Sequence, residues 1–112
     1  MNAWAGLVAD IGGTNARIAL VRADGGIERS GRYLCADFPD LAAALRRYAE
    51  DQGLSALPPR AAVCAAGPVE GGRVRLTNHG WNIDAAAITG DLGLNRLDLI
   101  NDFTAQALAL PA

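Results

Sequence analysis

The sequence predicts an α/β fold with a mixed sheet, and two observations lead to that prediction. Near the N-terminus, three strand-like runs follow one another and are separated only by short glycine-containing turns, a pattern typical of an antiparallel meander. After residue 36, apolar runs alternate with segments of helical periodicity. The 112 residues, of which 51% are hydrophobic, suffice for one small domain with a packed core.

The three strands of the meander are predicted at Ala5 to Ile11, Ala16 to Arg22 and Ile27 to Cys35. The link Gly12-Gly13-Thr14-Asn15 between the first two is as short as a hairpin requires, and its glycines can take positive φ. The Asp24-Gly25-Gly26 turn separates the second strand from the third.

A helix is predicted from Asp37 to Gly53. Asp37 or Asp40 can cap it, Pro39 suits its first turn and Gly53 ends it. Its apolar residues recur at helical spacing and predict one buried face: Leu41, Ala44, Leu45 and Tyr48. The charged residues Arg46, Arg47, Glu50 and Asp51 are expected to face water.

The rest of the chain divides into shorter predicted elements. In order, they are a buried strand at Arg60 to Ala66, a small hairpin at Gly71-Gly72 with Arg73 to Thr77, a helix at Asp84 to Leu92, a strand at Leu97 to Ile100, and a helix at Phe103 to Leu110.

Composition excludes several classes of function. The net charge of -2 and the scattered arginines predict no binding to nucleic acid or to an anionic membrane. The chain has no lysine, which excludes a Schiff-base lysine within it. Cys35 and Cys64 lie in apolar runs, and we see neither a signal peptide nor an apolar run of about 20 residues, so we expect a cytoplasmic protein.

A candidate phosphate site follows the first predicted strand. Consecutive N–H groups in a glycine turn can form a concavity that binds anions, and Asp10 at the strand end is placed to hold Mg²⁺ through water. Arg17 could face phosphate charge. The predicted phosphate-site residues are Asp10, Gly12, Gly13, Thr14 and Asn15. A plain glycine hairpin is the alternative.

A second candidate site is the pair Asn101-Asp102, which follows a buried strand. Ligands of α/β sheets bind at the carboxyl ends of strands. An amide beside a carboxylate suits sugar hydroxyls, and the carboxylate could accept the hydroxyl proton during phosphoryl transfer. The alternative is a helix cap, since a predicted helix follows at once.

A third candidate is the stretch Thr77-Asn78-His79-Gly80-Trp81, where polar groups stand beside an aromatic residue, as in many carbohydrate sites. The alternative is a polar turn with Trp81 in the core. His79 is the only histidine, so we expect no histidine-based metal cluster. Gly67-Pro68 could approach a ligand closely or form a simple turn.

Taken together, four stretches resemble the bacterial glucokinase family of the actin and hexokinase group. They are LVADIGGTNARIAL, CAAGPVEGG, LTNHGWNI and LINDFTAQALALP, and they extend from Leu7 to Pro111. DIGGT alone is shared by many sugar kinases, whereas its combination with TNHGW and NDFTA is more specific. The resemblance implies an actin-like, ribonuclease H-like ATPase lobe that phosphorylates glucose with MgATP, the first step of glycolysis.

The same resemblance implies a role for each candidate residue. Asp102 matches the general base acting on the sugar 6-hydroxyl, Asn101 and Asp102 match the pair that holds glucose, and Asn78 lies in a motif bordering the sugar cleft. Asp10, Gly12, Gly13, Thr14 and Asn15 match the first phosphate loop, facing the γ-phosphate and Mg²⁺. Arg17 matches a family arginine with either a phosphate contact or a structural ion pair.

Glucokinases of this kind have two lobes, with the substrates in the cleft between them, so residues 1–112 are interpreted as the N-terminal lobe alone. The resemblance therefore implies a fragment that is inactive by itself, and a homodimer is compatible with the full-length enzyme. Three alternatives remain open: a kinase or regulator of the repressor–kinase (ROK) group, a non-catalytic sugar-binding module, and a kinase for another hexose.

Overall fold

The fold was analysed in a computed structural model that describes residues 4–65, 70–76 and 80–101, without the side chain of Asn101. The strands are β1 (Gly6–Ile11), β2 (Asn15–Val21), β3 (Ile27–Leu34), β4 (Arg60–Ala65), β5 (Arg73–Arg75), β6 (Asn82–Asp84) and β7 (Arg96–Asn101). The helices are α1 (Leu41–Asp51) and α2 (Ala85–Leu92), and a single 3₁₀ turn spans Cys35–Asp37.

Within these ranges, five strands form one mixed sheet in the order β3-β2-β1-β4-β7. The strands β1, β2 and β3 form the predicted antiparallel meander, while β4 and β7 continue from β1 in parallel. The parallel connections carry α1 and α2, as crossovers between parallel strands require. The predicted α/β class with a mixed sheet is therefore confirmed.

Helix α1 is shorter than predicted and begins after Pro39 rather than around it. Asp40 is the N-cap, and its side chain accepts a hydrogen bond from the N–H of Ala43. That bond satisfies one of the free donors of the first turn. The prediction that Pro39 lies in the first turn and that Asp37 begins the helix is wrong, because Asp37 belongs to the separate 3₁₀ turn.

The predicted apolar face of α1 is buried against the sheet, with Ala44, Leu45 and Tyr48 fully inaccessible. The Tyr48 hydroxyl donates to the backbone oxygen of Arg29 at 2.6 Å. Arg29 has a φ of 55° and lies where the register of β2 against β3 shifts by one residue, which marks a β-bulge. Tyr48 therefore fixes an irregular point of the edge strand β3.

Strands β5 and β6 form a separate two-stranded ribbon, of which β6 was not predicted. The Gly71-Gly72 turn forms as expected, since Glu70 and Arg73 exchange backbone hydrogen bonds at 2.9 and 3.0 Å and both glycines have positive φ. The ladder partner of β5 is nevertheless β6, at residues 82–84. A strand of three residues is too short to show an alternating pattern.

Candidate functional site

The predicted phosphate loop joins β1 to β2 in a tight hairpin. The N–H of Gly12 donates to the oxygen of Asn15 at 2.9 Å, and the N–H of Cys35 donates to the oxygen of Thr14, also at 2.9 Å. The second hydrogen bond joins the loop to Cys35, the residue that follows β3. The loop therefore has a defined backbone at the edge of the sheet.

The glycines of this loop do not have the positive φ that the hairpin suggested. Neither Gly12 nor Gly13 is among the glycines with positive φ, in contrast to Gly71 and Gly72. A Cβ atom on Gly12 would lie 3.4 Å from the oxygen of Asn15, an ordinary contact. Neither φ nor crowding within the described chain requires glycine at position 12, and the missing side chain leaves its backbone open to close approach.

Asp10 lies at the carboxyl end of β1 with an exposed side chain. In the sheet it is opposite Arg17 of β2 and Cys64 of β4. Among the described residues, no ion pair or hydrogen bond involves the Asp10 carboxylate. Mg²⁺ at phosphate sites takes one or two carboxylates and completes its octahedron with phosphate oxygens and water. A carboxylate that is exposed, unpaired within the described ranges and next to the predicted phosphate loop fits that requirement.

Arg17 is also exposed, and within the part of the chain that the structure describes it forms no ion pair. The sequence left open a phosphate contact or a structural ion pair for this residue. The described carboxylates provide no such partner, even though Asp10 lies directly opposite on the neighbouring strand.

The register of the parallel strands brings Asn101, the first residue of the other candidate pair, to the same edge. Ile11 of β1 is opposite Ala65 of β4, and Ala65 is opposite Asn101 of β7. The phosphate loop and Asn101 thus leave the sheet in one row, two strand spacings apart, or about 10 Å. Asp102, the predicted base, lies outside the described residues, as do Gly67 and Pro68.

The stretch with Asn78 connects β5 to β6, and residues 77–79 lie outside the described residues. Its two ends are fixed, because the N–H of Leu76 donates to the oxygen of Trp81 at 2.9 Å. Trp81 is only 2% exposed, and its indole N–H donates to the oxygen of Phe38 at 3.1 Å. Trp81 therefore belongs to the core, as the alternative interpretation had it, and offers no free face for a sugar.

A shallow groove of about 800 Å³ lies along the β5–β6 ribbon. Its walls are charged and include Glu70, Arg73 and Asp84, and the last two form an ion pair at 3.0 Å. Its described lining residues include none of those predicted to hold phosphate or sugar.

The described ranges contain no group of three or more histidine, cysteine or acidic side chains arranged to hold a metal ion. None of the helices they contain combines the length and apolar character that crossing a bilayer requires.

Comparison with known proteins identifies the family. The profile of the Glucokinase family matches residues 7–112. The chain belongs to the glucokinase family. It is 45% identical over 105 residues to the "Bifunctional protein glk" of Paraburkholderia xenovorans and 45% identical over 104 residues to the glucokinase of Neisseria meningitidis. These alignments cover 94% and 93% of this chain.

Solved structures agree with this assignment. A glucokinase from an Antarctic psychrotroph superposes with a TM-score of 0.81 at 40% identity over 94% of this chain. A ROK-family glucokinase from Streptomyces griseus, solved with glucose and AMPPNP, gives a TM-score of 0.66 at 21% identity over 91% of this chain, which supports the fold alone. The sugar-kinase fold predicted from the resemblance is thus confirmed.

The chain is much shorter than its relatives. It spans 16% of the Paraburkholderia protein, 31% of the Neisseria glucokinase and 34% of the psychrotroph structure. The similarity that shows the family therefore covers about a third or less of each of these relatives.

Proposed function

We propose that this chain is the N-terminal lobe of a two-lobed kinase that transfers the γ-phosphoryl group of MgATP to glucose. One observation carries the proposal: strands β1 and β7 end in a single register row through Ala65. That row supports the proposal, because the loop after β1 and the backbone of Asn101 lie on one edge of the sheet, about 10 Å apart. A phosphoryl donor and an acceptor hydroxyl need such neighbouring sites.

The phosphate side of the proposed site consists of the loop and Asp10. The backbone N–H groups of Gly13 and Thr14, with the side chains of Thr14 and Asn15, would face the β- and γ-phosphates. The N–H of Gly12 donates to Asn15 within the hairpin, so Gly12 would contribute through its missing side chain, which lets a phosphate approach the loop closely. Asp10 would hold Mg²⁺ through water, and the ion supplies charge neutralisation of the phosphate oxygens when bound.

The sugar side consists of Asn101, Asp102 and Asn78. Asn101 and Asp102 would hold glucose hydroxyls, and Asp102 would accept the proton of the 6-hydroxyl as its oxygen attacks phosphorus. Because transition states of phosphoryl transfer are loose, alignment of this hydroxyl with the phosphate loop would supply most of the rate. Asn78 would border the sugar from the loop between β5 and β6.

The comparisons favour a glucokinase over a ROK-type protein. Similarity to the psychrotroph glucokinase exceeds that to the ROK proteins both in identity, 40% against 21%, and in TM-score, 0.81 against 0.66. ATP as phosphoryl donor is supported by the AMPPNP in the Streptomyces structure. The proposal includes a cytoplasmic location and allows a homodimer of the full-length protein.

The test is a coupled assay of glucose phosphorylation on the full-length gene product, comparing wild type with Asp102→Asn. We expect turnover to fall by about two to four powers of ten, because general-base catalysis contributes that much. Asp98→Asn is the matched control, since it makes the same change on β7 at a carboxylate already paired with Arg96 at 2.9 Å.

Folding of both variants is verified by circular dichroism. If Asp102→Asn is as fast as Asp98→Asn, Asp102 is a helix cap rather than a base. If the wild type phosphorylates no hexose, the chain is better described as a sugar-binding module.

A further inference from the structure

A row of charged side chains crosses the sheet beside the phosphate loop. Asp10 of β1 is opposite Arg17 of β2, and Arg17 is opposite Arg32 of β3. Residues directly opposite one another lie on the same face of a sheet. All three side chains are exposed, so the row is open to a ligand.

This face is the one that α1 does not cover. Tyr33 lies next to Arg32 and therefore points to the other face. Its ring packs edge-on against Tyr48 of α1, with centroids 6.3 Å apart. Helix α1 and the core thus lie behind the row.

The two arginines are like charges that lie directly opposite each other. Like charges directly opposite each other destabilise an antiparallel pair. Elsewhere in the described ranges, four arginines form ion pairs with carboxylates: Arg22, Arg47, Arg73 and Arg96. Neither Arg17 nor Arg32 forms an ion pair with any described residue, and an anion held between their guanidinium groups would offset the repulsion.

We infer that Arg17 and Arg32 together bind a condensed phosphate chain, which extends the phosphate site from the loop across β2 to the edge strand β3. This inference rests on the proposed function, because it assumes that Asp10 and the loop hold the reacting end of the same chain. Asp10 and Arg32 are two strand spacings apart, about 10 Å. Arginine side chains reach well beyond their Cα atoms, so the row can follow a run of linked phosphates.

The chemistry of the row selects a phosphate chain over a single carboxylate. Each guanidinium presents a planar set of donors that matches two phosphate oxygens. Two such groups side by side, next to a loop of N–H groups, neutralise several negative charges at regular spacing. The linked phosphates could belong to a nucleoside triphosphate or to inorganic polyphosphate.

The experiment measures binding of MgATP and of inorganic tripolyphosphate to the full-length gene product by titration calorimetry. We expect Arg32→Gln to weaken tripolyphosphate binding about tenfold, because charge-assisted bonds to phosphate are lost. Arg32→Lys should give an intermediate loss of affinity, since lysine keeps the positive charge but cannot make the bidentate contact of a guanidinium group. The matched control is Arg46→Gln, an exposed arginine of α1 on the other side of the sheet.

The two ligands distinguish the two sources. An equal loss for MgATP and tripolyphosphate assigns the row to the nucleotide's own phosphates, and a loss for tripolyphosphate alone assigns it to an inorganic chain. The inference is overturned if Arg32→Gln binds both ligands as Arg46→Gln does, or if only MgATP binding changes. Thermal unfolding of each variant verifies that folding is intact.

Failure of the inference is separable from failure of the proposed function. If the full-length protein phosphorylates glucose but its phosphate binding does not depend on Arg32, only the inference is overturned. If tripolyphosphate binding depends on Arg32 but the protein phosphorylates no hexose, the phosphate-binding role of Arg17 and Arg32 is supported and the proposed kinase function is overturned.

Discussion

At the scale of single residues, Tyr33 connects the edge strand β3 to the end of α1. Its hydroxyl donates to Oδ2 of Asp51 at 2.7 Å, and Nε of Arg47 donates to Oδ1 of Asp51 at 3.1 Å. The hydrogen bond from Tyr33, followed by the contact with Arg47, lowers the pKa of Asp51 below its usual 3.8. Partial burial and the nearby Asp51 carboxylate raise the pKa of Tyr33.

Replacing Tyr33 by Phe should raise the pKa of Asp51 towards 3.8. A carboxylate whose pKa is lower in the folded state adds stability above its unfolded pKa and loses it as the pH falls through its folded pKa. The free energy of unfolding of Tyr33→Phe should therefore be below that of wild type at neutral pH, and the difference should shrink as the pH falls below 3.8.

An NMR titration of the Asp51 carboxyl carbon measures this pKa. The comparison variant is Arg47→Gln, which removes the hydrogen bond and the charge of Arg47 and should also raise the Asp51 pKa. An Asp51 pKa that does not rise in Tyr33→Phe would contradict this account.

At the scale of elements, Asp84 serves both the β5–β6 ribbon and α2. Its Oδ1 accepts from the N–H groups of Ala86 at 3.1 Å and Ala87 at 3.3 Å, which caps the helix. Its Oδ2 accepts from Nε of Arg73 at 3.0 Å. One side chain therefore caps the start of α2 and also joins it to β5.

Removing this cap should destabilise the chain more than removing only the charge does. We expect Asp84→Ala to lower the free energy of unfolding by about 1 kcal/mol, because two helix donors lose their acceptor. Asp84→Asn keeps a capping oxygen and loses the ion pair. Since Arg73 is 75% exposed, that loss should cost well under 1 kcal/mol.

Urea unfolding of both variants, with Arg73→Gln as the control for the ion pair, measures these costs. Equal losses from Asp84→Asn and Asp84→Ala would show that charge, rather than capping, is what Asp84 contributes.

At the scale of the whole molecule, the proposed enzyme would have a two-sided site of which the described chain carries one side. The loop after β1 and Asn101 lie at one edge of a single sheet, beside the row of Asp10, Arg17 and Arg32, and the chain spans about a third or less of these relatives. In the proposed enzyme, the second lobe would supply the adenosine pocket and close over the substrates, which brings alignment and exclusion of water.

We therefore expect the 112-residue chain to phosphorylate glucose negligibly, even if it folds. The measurement is the coupled assay on the purified chain beside the full-length gene product, with a cooperative unfolding transition as proof that the chain is folded. Turnover by the chain within about tenfold of the full-length rate would contradict the two-lobed arrangement, since tenfold is only about 1.4 kcal/mol of barrier.

The sequence alone determined the features that depend on near neighbours. Glycine turns, alternating apolar runs and the helical spacing of Leu41, Ala44, Leu45 and Tyr48 predicted the meander and α1, because these signals act within a few residues. The resemblance of the DIGGT, TNHGW and NDFTA stretches identified the glucokinase family, which the profile match over residues 7–112 confirms.

Only the tertiary structure decided features that depend on pairing between distant segments. The register put Ile11, Ala65 and Asn101 in one row and aligned Asp10, Arg17 and Arg32 in another. No local pattern encodes strand register, because it follows from which residues bury the common core. The burial of Trp81 was likewise not decided by local sequence, because its indole N–H bonds to the backbone of Phe38, 43 residues earlier.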